Sequence, residues 1–243
     1  MKKLILIITL YIPILGIAQK PFIIEGEVPT ESVPVNSWII GITDDFDDAM
    51  DNYKDYVKEE FGLKVKKNSS TCYEIPEVNV PHLSIKRGDL KTYLFQTDSM
   101  NILAFSFLLG YDIHVNSQDY PQEMAEFKKF VIRYMEFHYK AFYDEKIEDK
   151  NKELGKLKKE LKQNEDKISS LKKKSTNLGE KEAKEEDVAK KNKIVSEKQI
   201  VDSEIDTMVE QLPDLRNNVQ EMEQVIFEFK DELNKYHQAI ITL

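Results

Sequence analysis

From Val201 to Leu243 the apolar residues fall on alternating steps of four and three without a miss: Val201, Ile205, Met208, Leu212, Leu215, Val219, Met222, Ile226, Phe229, Leu233, Tyr236, Ile240 and Leu243. That spacing keeps one stripe of an α-helix turned toward a partner helix along its whole length. Nothing else in the chain constrains its fold as tightly, because the stripe demands both a long helix and something for it to lie against. The stripe also passes through Pro213. A proline inside a helix costs about 3 kcal/mol or more, so either the helix continues through it with a kink, or one helix ends at Leu212 and another begins at Pro213. The unbroken phase favours continuation, since a loop seldom preserves it.

A partner lies immediately upstream. Pro121 suits the first turn of a helix, and no strong breaker follows until Asn177-Leu178-Gly179. Gly155 is one weak point, costing about 1 kcal/mol relative to Ala. The apolar side of this arm starts with Met124, Phe127, Val131, Tyr134 and His138, shifts register, and resumes with Ile147, Leu154, Leu157, Leu161, Ile168 and Leu171, interrupted at Asn164. Counted from Leu178, the two arms match in length, roughly 85 to 95 Å each at about 1.5 Å per residue. We therefore expect residues 121–243 to form an antiparallel coiled-coil hairpin with its tip near 176–180, carrying Lys172, Lys173, Lys174, Leu178 and Glu182 as a candidate interaction tip. The seam looks thin toward that tip, where Val188 and Ile194 are sparse. At the other end Val225, Phe227 and Ile241 widen the apolar face beyond the seam, so the head domain or a second subunit has to cover it.

Residues 19–120 carry the β-type patterning of an α+β head. Trp38, Ile40 and Ile42 share one face of a strand. Asp44 and Asp45 can cap a helix along which Phe46, Met50, Tyr53, Val57 and Phe61 recur at helical spacing, and Gly62 sits where a left-handed C-terminal cap belongs. Short strands are predicted near 63–66 and 71–75, with a broken one near 78–85 where Pro76 and Pro81 intrude. Leu90–Thr97 and Met100–Leu109 follow as strands joined by a turn at Asp98-Ser99. The order predicts a small, mostly antiparallel sheet with helices on one face.

The start of the chain reads as a signal peptide over 1–18. Lys2 and Lys3 precede a nearly continuous apolar run from Leu4 to Ile17, too short for a comfortable membrane span, and Gly16-Ile17-Ala18 supplies small residues for cleavage after Ala18. No later apolar run approaches spanning length. The expectation is an exported protein with no transmembrane span after cleavage, in the periplasm, at the outer membrane or secreted. A lone cysteine, Cys72, has no internal partner and is expected to be buried and inert.

Chemistry is sparse. Net charge is −9, which argues against nucleic acid as a partner. No two glycines lie closer than ten positions, which excludes a phosphate-cradling loop of the usual types. His82, His114, His138 and His237 are scattered, so neither a zinc site nor a held base is apparent. Asp44, Asp45, Asp47, Asp48 and Asp51 form the densest acidic cluster; they lack a calcium-loop pattern and fit the preference of acids for a helix N-terminus. Lysines from Lys146 to Lys174 alternate with acids at helix-stabilising spacing, as in Glu148 with Lys152.

A leader ending Ile17-Ala18-Gln19, the run Phe107-Leu108-Leu109-Gly110 and the junction Ser117-Gln118-Asp119-Tyr120-Pro121 before a charged helical tail make the chain resemble a group of uncharacterised exported proteins of Bacteroidota. The resemblance implies a compartment and an architecture, and it carries over no catalytic residues or cofactors. The sequence therefore points to a non-enzymatic envelope protein whose hairpin is a spacer or docking arm for an envelope partner. The alternative is a head that binds a small ligand or metal, with the hairpin used for homodimerisation. An enzyme ranks third.

Overall fold

The computed structural model describes residues 21–30, 34–42, 45–78, 83, 87–97, 100–110 and 113–243. The expected signal peptide, Asp44, Pro81, His82 and the Asp98-Ser99 turn lie outside the described residues. The fold is α+β: an antiparallel sheet with a helix, followed by a long antiparallel pair of helices. The chain divides into two compact units, one comprising residues up to Lys140 with Lys235–Leu243, the other Ala141–Asn234.

In the first unit, β1 (Ile23–Val28), β2 (Val35–Ile42), β3 (Lys66–Lys67), β4 (Cys72–Val78), β5 (Gly88–Gln96) and β6 (Asn101–Leu108) form one sheet in the order β1-β2-β6-β5-β4-β3, antiparallel throughout. Helix α1 (Phe46–Phe61) follows β2. Asp45 caps it by accepting from the Asp48 amide at 2.9 Å, and Gly62, at φ 65°, donates to the Lys58 carbonyl at 3.0 Å to end it. These are the caps expected from the sequence, and they satisfy amides and carbonyls the helix leaves open.

The register sets the core. Trp38 pairs with Phe105 and Ile40 with Leu103, while Thr92 and Leu90 pair with Phe105 and Phe107, so all of these share one face. Against that face pack α1 and the opening turns of α2 (Pro121–Lys184). Tyr53 and Tyr134 both meet Phe105 edge-on, at 5.4 and 5.5 Å between ring centroids, and Phe127 meets Phe107. Phe105 and Tyr134 are 0% exposed. Hydrogen bonds fix the same layer: the Trp38 indole donates to the Met124 carbonyl at 3.0 Å and the Tyr134 hydroxyl to the Ala49 carbonyl at 2.8 Å. The opposite sheet face carries a smaller cluster of Val28, Val35 and Ala104 with Ile39, Tyr93 and Phe95 against it. Pro76 falls where β4 shifts register against β5, as a residue without an amide must. Gly88 is obligatory, since a Cβ there would stand 2.1 Å from the Leu108 carbonyl oxygen. Burial raises the Cys72 thiol above its usual value, in keeping with an inert core cysteine.

The register shift expected after His138 now has a cause. Up to Tyr139 α2 is buried in the sheet unit; Met124, Phe127, Val131 and His138 are all buried there. Tyr236, from the closing segment of the chain, stacks on Tyr139 at 4.3 Å within the same unit, and Lys128 donates to the Leu243 carbonyl at 2.6 Å. The expected boundary at residue 120 thus differs from the compact units, because the base of both long helices belongs to the sheet's own core.

The second unit is built from the remainder of α2 and most of α3 (Val188–Ile241), the helices having 64 and 54 residues in full. Helix α3 is continuous with Pro213 inside it, as the unbroken stripe favoured. The expected tip near 176–180 is corrected. Helix α2 continues through Asn177 and Gly179 to Lys184, and the turn is Glu185–Asp187. Leu178, 6% exposed, is packed in a cluster with Ile168, Val201 and Ile205. Burying a leucine is worth about 1.5–3 kcal/mol. The glycine and asparagine beside it cost about 1 and 0.7 kcal/mol at most, so helix wins. The turn falls instead where Asp187 can cap α3, accepting from the amides of Ala189 and Lys190 at 2.9 and 3.1 Å.

Candidate functional site: the helical hairpin

Within Ala141–Asn234 the chain makes a two-stranded seam whose residues repeat every seven. On α2 the seam includes Ile147, Leu154, Leu157, Leu161, Asn164, Ile168, Leu171, Ser175 and Leu178. On α3 it runs from Ile194 through Val201, Ile205 and Met208 to Ile226 and Phe229. The cluster around Ile168, Leu178, Val201 and Ile205, with Leu171, Ile194, Met208 and Leu212 half-buried against it, holds the part nearer the turn together. The seam is therefore better filled there than expected. Ser175 occupies a seam position and is satisfied by donating to Asp202 at 2.5 Å.

Four ion pairs cross between the helices: Lys158 to Glu223, Glu165 to Arg216 and Lys167 to Glu204 at 2.7 Å each, and Lys174 to Glu197 at 3.0 Å. In seven-residue terms the first two join residues just after a second seam position on both helices, and the last two join residues just before a first seam position on both. Like positions can meet only when the helices run antiparallel; parallel helices bring unlike ones together. All four pairs are roughly half exposed, so each is individually weak, and their main effect is on orientation and register. The Lys174 ammonium, hydrogen-bonded to Glu197, holds that carboxyl below its usual range, with Lys181 and Lys193 adding to the effect.

The five residues expected to form an interaction tip do not form one surface. Leu178 is buried and Glu182 half-buried on the seam side, Lys174 is occupied by Glu197, and Lys172 and Lys173 are exposed well below the turn. The acidic cluster is divided among structural tasks. Asp45 caps α1, Asp51 pairs with Lys54 at 2.7 Å, and Asp47 and Asp48 occupy the first turn. No group of three or more metal-ligating side chains occurs among the described residues. His138 is buried, with the Asn52 amide 3.1 Å from Nδ1; His114 lies 3.3 Å from the Ser106 hydroxyl; His237 is exposed.

What sequence reasoning did not separate is the outward side of each helix. Phe227 and Ile241, expected to be covered, remain 63% and 60% exposed. No helix among the described residues is long and apolar enough to cross a membrane. Comparison with protein-family models, curated proteins and solved structures finds no match to this chain.

Proposed function

We propose that this chain is an exported, non-enzymatic interaction protein of the cell envelope, in which the hairpin Ala141–Asn234 is the docking arm. One observation carries the reading: the hairpin is a compact unit of its own that uses only a narrow seam internally and leaves its outward sides to solvent. A helix pair of this kind presents long straight faces, which suits recognition of another elongated surface. The export half of the reading is supported by the basic start, apolar run and small-residue ending of residues 1–18. The resemblance to exported Bacteroidota proteins agrees with it. Several polar side chains of the sheet unit serve a cap or core hydrogen bonds, among them Asp45, Trp38 and Tyr134, and this favours a structural head over a catalytic one.

The test compares the intact protein with a form in which residues 152–224, level with one another across the seam, are replaced by a short turn. Partners captured from envelope extracts by the intact form and lost from the shortened one support the docking arm. Partners kept by both forms move the function to the sheet unit and overturn the reading.

A further inference from the structure

We propose that export itself creates a modification site on this chain: once the leader is removed after Ala18, the new N-terminal residue, Gln19, closes on itself to pyroglutamate. This rests on the export half of the reading above and says what the exported terminus becomes. The small residues Gly16 and Ala18 place the cut so that glutamine is the first residue left, with Lys20 and Pro21 behind it. Residues 19 and 20 lie outside the described residues. The closure needs no other part of the fold, because nucleophile and electrophile both belong to Gln19.

The step balances without an oxidant, a reductant or a second substrate. In the precursor the Gln19 nitrogen is a peptide nitrogen joined to Ala18, and its lone pair is delocalised. Cleavage turns it into an α-amine, whose ordinary pKa of about 7.7–8 leaves a share of it neutral near neutral pH. That nitrogen attacks the side-chain amide carbon, Cδ. The N–Cδ bond forms, the Cδ–Nε2 bond breaks, and ammonia leaves with the proton the amine gives up. A γ-lactam results, and the positive charge of the terminus is lost. A glutamine inside a chain has no α-amine, so cleavage arms this one alone.

The fold gives a closed terminus something to guard. Pro21 is buried, and Phe22 lies over Gly41, where an added Cβ would stand 2.6 Å from the Phe22 ring. Ile23, next in line, pairs with Ile40 and opens β1. Only Gln19 and Lys20 therefore separate the new terminus from packed residues, and β1 is an edge strand buried only at its two ends. Stepwise trimming from the terminus needs a free α-amine; the lactam offers none, so loss of residues toward β1 cannot begin.

The experiment expresses the full chain in an exporting bacterium and takes the protein from the envelope fraction for intact-mass measurement. The expected species is residues 19–243, lighter by one ammonia, silent in stepwise N-terminal sequencing, and readable from Lys20 after treatment with a pyroglutamyl peptidase. Gln19→Ala keeps a small residue after the cut but has no side-chain amide. It is expected without the ammonia loss and open to direct sequencing. Residues 19–243 at full mass with a free amine overturn the proposal and leave the export reading standing. An ammonia loss that persists in Gln19→Ala also overturns it, because the loss then comes from another residue. Cleavage at a different bond removes the proposal alone, whereas a chain that keeps residues 1–18 removes the export reading with it.

Discussion

Gly179→Ala gives opposite signs for the two places where the hairpin's turn can lie. In the structure Gly179 is inside α2 and does not have positive φ, a conformation found among the described glycines only at Gly62 and Gly110. A methyl group added there would stand 3.8 Å from the Lys198 Cε and 3.9 Å from its Nζ, an ordinary contact with the mobile end of a side chain. The substitution should therefore return the full helix-propensity difference, about 0.8–1 kcal/mol of stabilisation. At a turn centred on Asn177–Gly179 the glycine would hold a left-handed conformation, and alanine would cost about 1–2 kcal/mol. Gly155→Ala is the internal control, since no atom lies within 4 Å of the added methyl and the same helix surrounds it. Chemical unfolding followed by far-ultraviolet circular dichroism is the assay, with the midpoint rising at constant slope for both variants. In thermal unfolding the shift is about 2–8 °C, the upper part if the hairpin unfolds as a unit of its own size. Stabilisation by Gly155→Ala together with destabilisation by Gly179→Ala would refute both the Glu185–Asp187 turn and the argument that Leu178 burial outweighs its neighbours' poor propensity.

Phe105→Ala empties the centre of the sheet–helix layer where Tyr53 and Tyr134 meet; a loss of about 3–5 kcal/mol is expected in denaturant unfolding, with collapse of the near-ultraviolet signal. Asp187→Ala removes the acceptor for two amides at the start of α3 and should cost about 1 kcal/mol, seen as faster hydrogen exchange confined to residues 188–191. Cys72 should react with a disulfide reagent at least about tenfold more slowly in the folded protein than after unfolding. Because burial raises the folded thiol above its unfolded value, its contribution to stability is complete below the ordinary thiol range and is lost as pH rises through the folded value. A thiol that labels at the unfolded rate would refute its burial.

What could be read from the sequence was whatever a local pattern dictates alone. Helix α1 has its cap, its periodic face and its terminal glycine within one short stretch. Strand β5 alternates cleanly because one of its faces is buried along nearly its whole length, and β6 stands out as an apolar run because both of its faces are buried from Leu103 on. Strand β1 was missed for the converse reason: at the sheet's edge, Ile24, Glu25 and Glu27 are exposed and only its ends, Ile23 and Val28, are buried. The turn was misplaced because Asn177 and Gly179 were weighed by propensity, whereas the outcome depended on what Leu178 touches across the seam. The register change after His138 was visible, but its cause was not, since it requires knowing that the same helix packs first on a sheet and then on another helix.

The seam alone leaves one matter open that the flanking charges close. A stripe of apolar residues on each of two helices joined by a turn is compatible with several offsets along the axis, each differing by one heptad and each burying similar leucines. Shifting α3 by seven residues would put Glu165 against Glu223 and Lys158 against Lys230, turning attraction into repulsion at both. The observed offset instead makes four attractive pairs and lets Ser175 reach Asp202. The individual pairs are weak because they are half exposed. The difference between registers counts both the attraction lost and the repulsion gained, so it exceeds the strength of any one pair. Charge on the inward flanks thus fixes how the chain folds on itself, whereas the charge on the outward sides of the two helices plays no part in that choice.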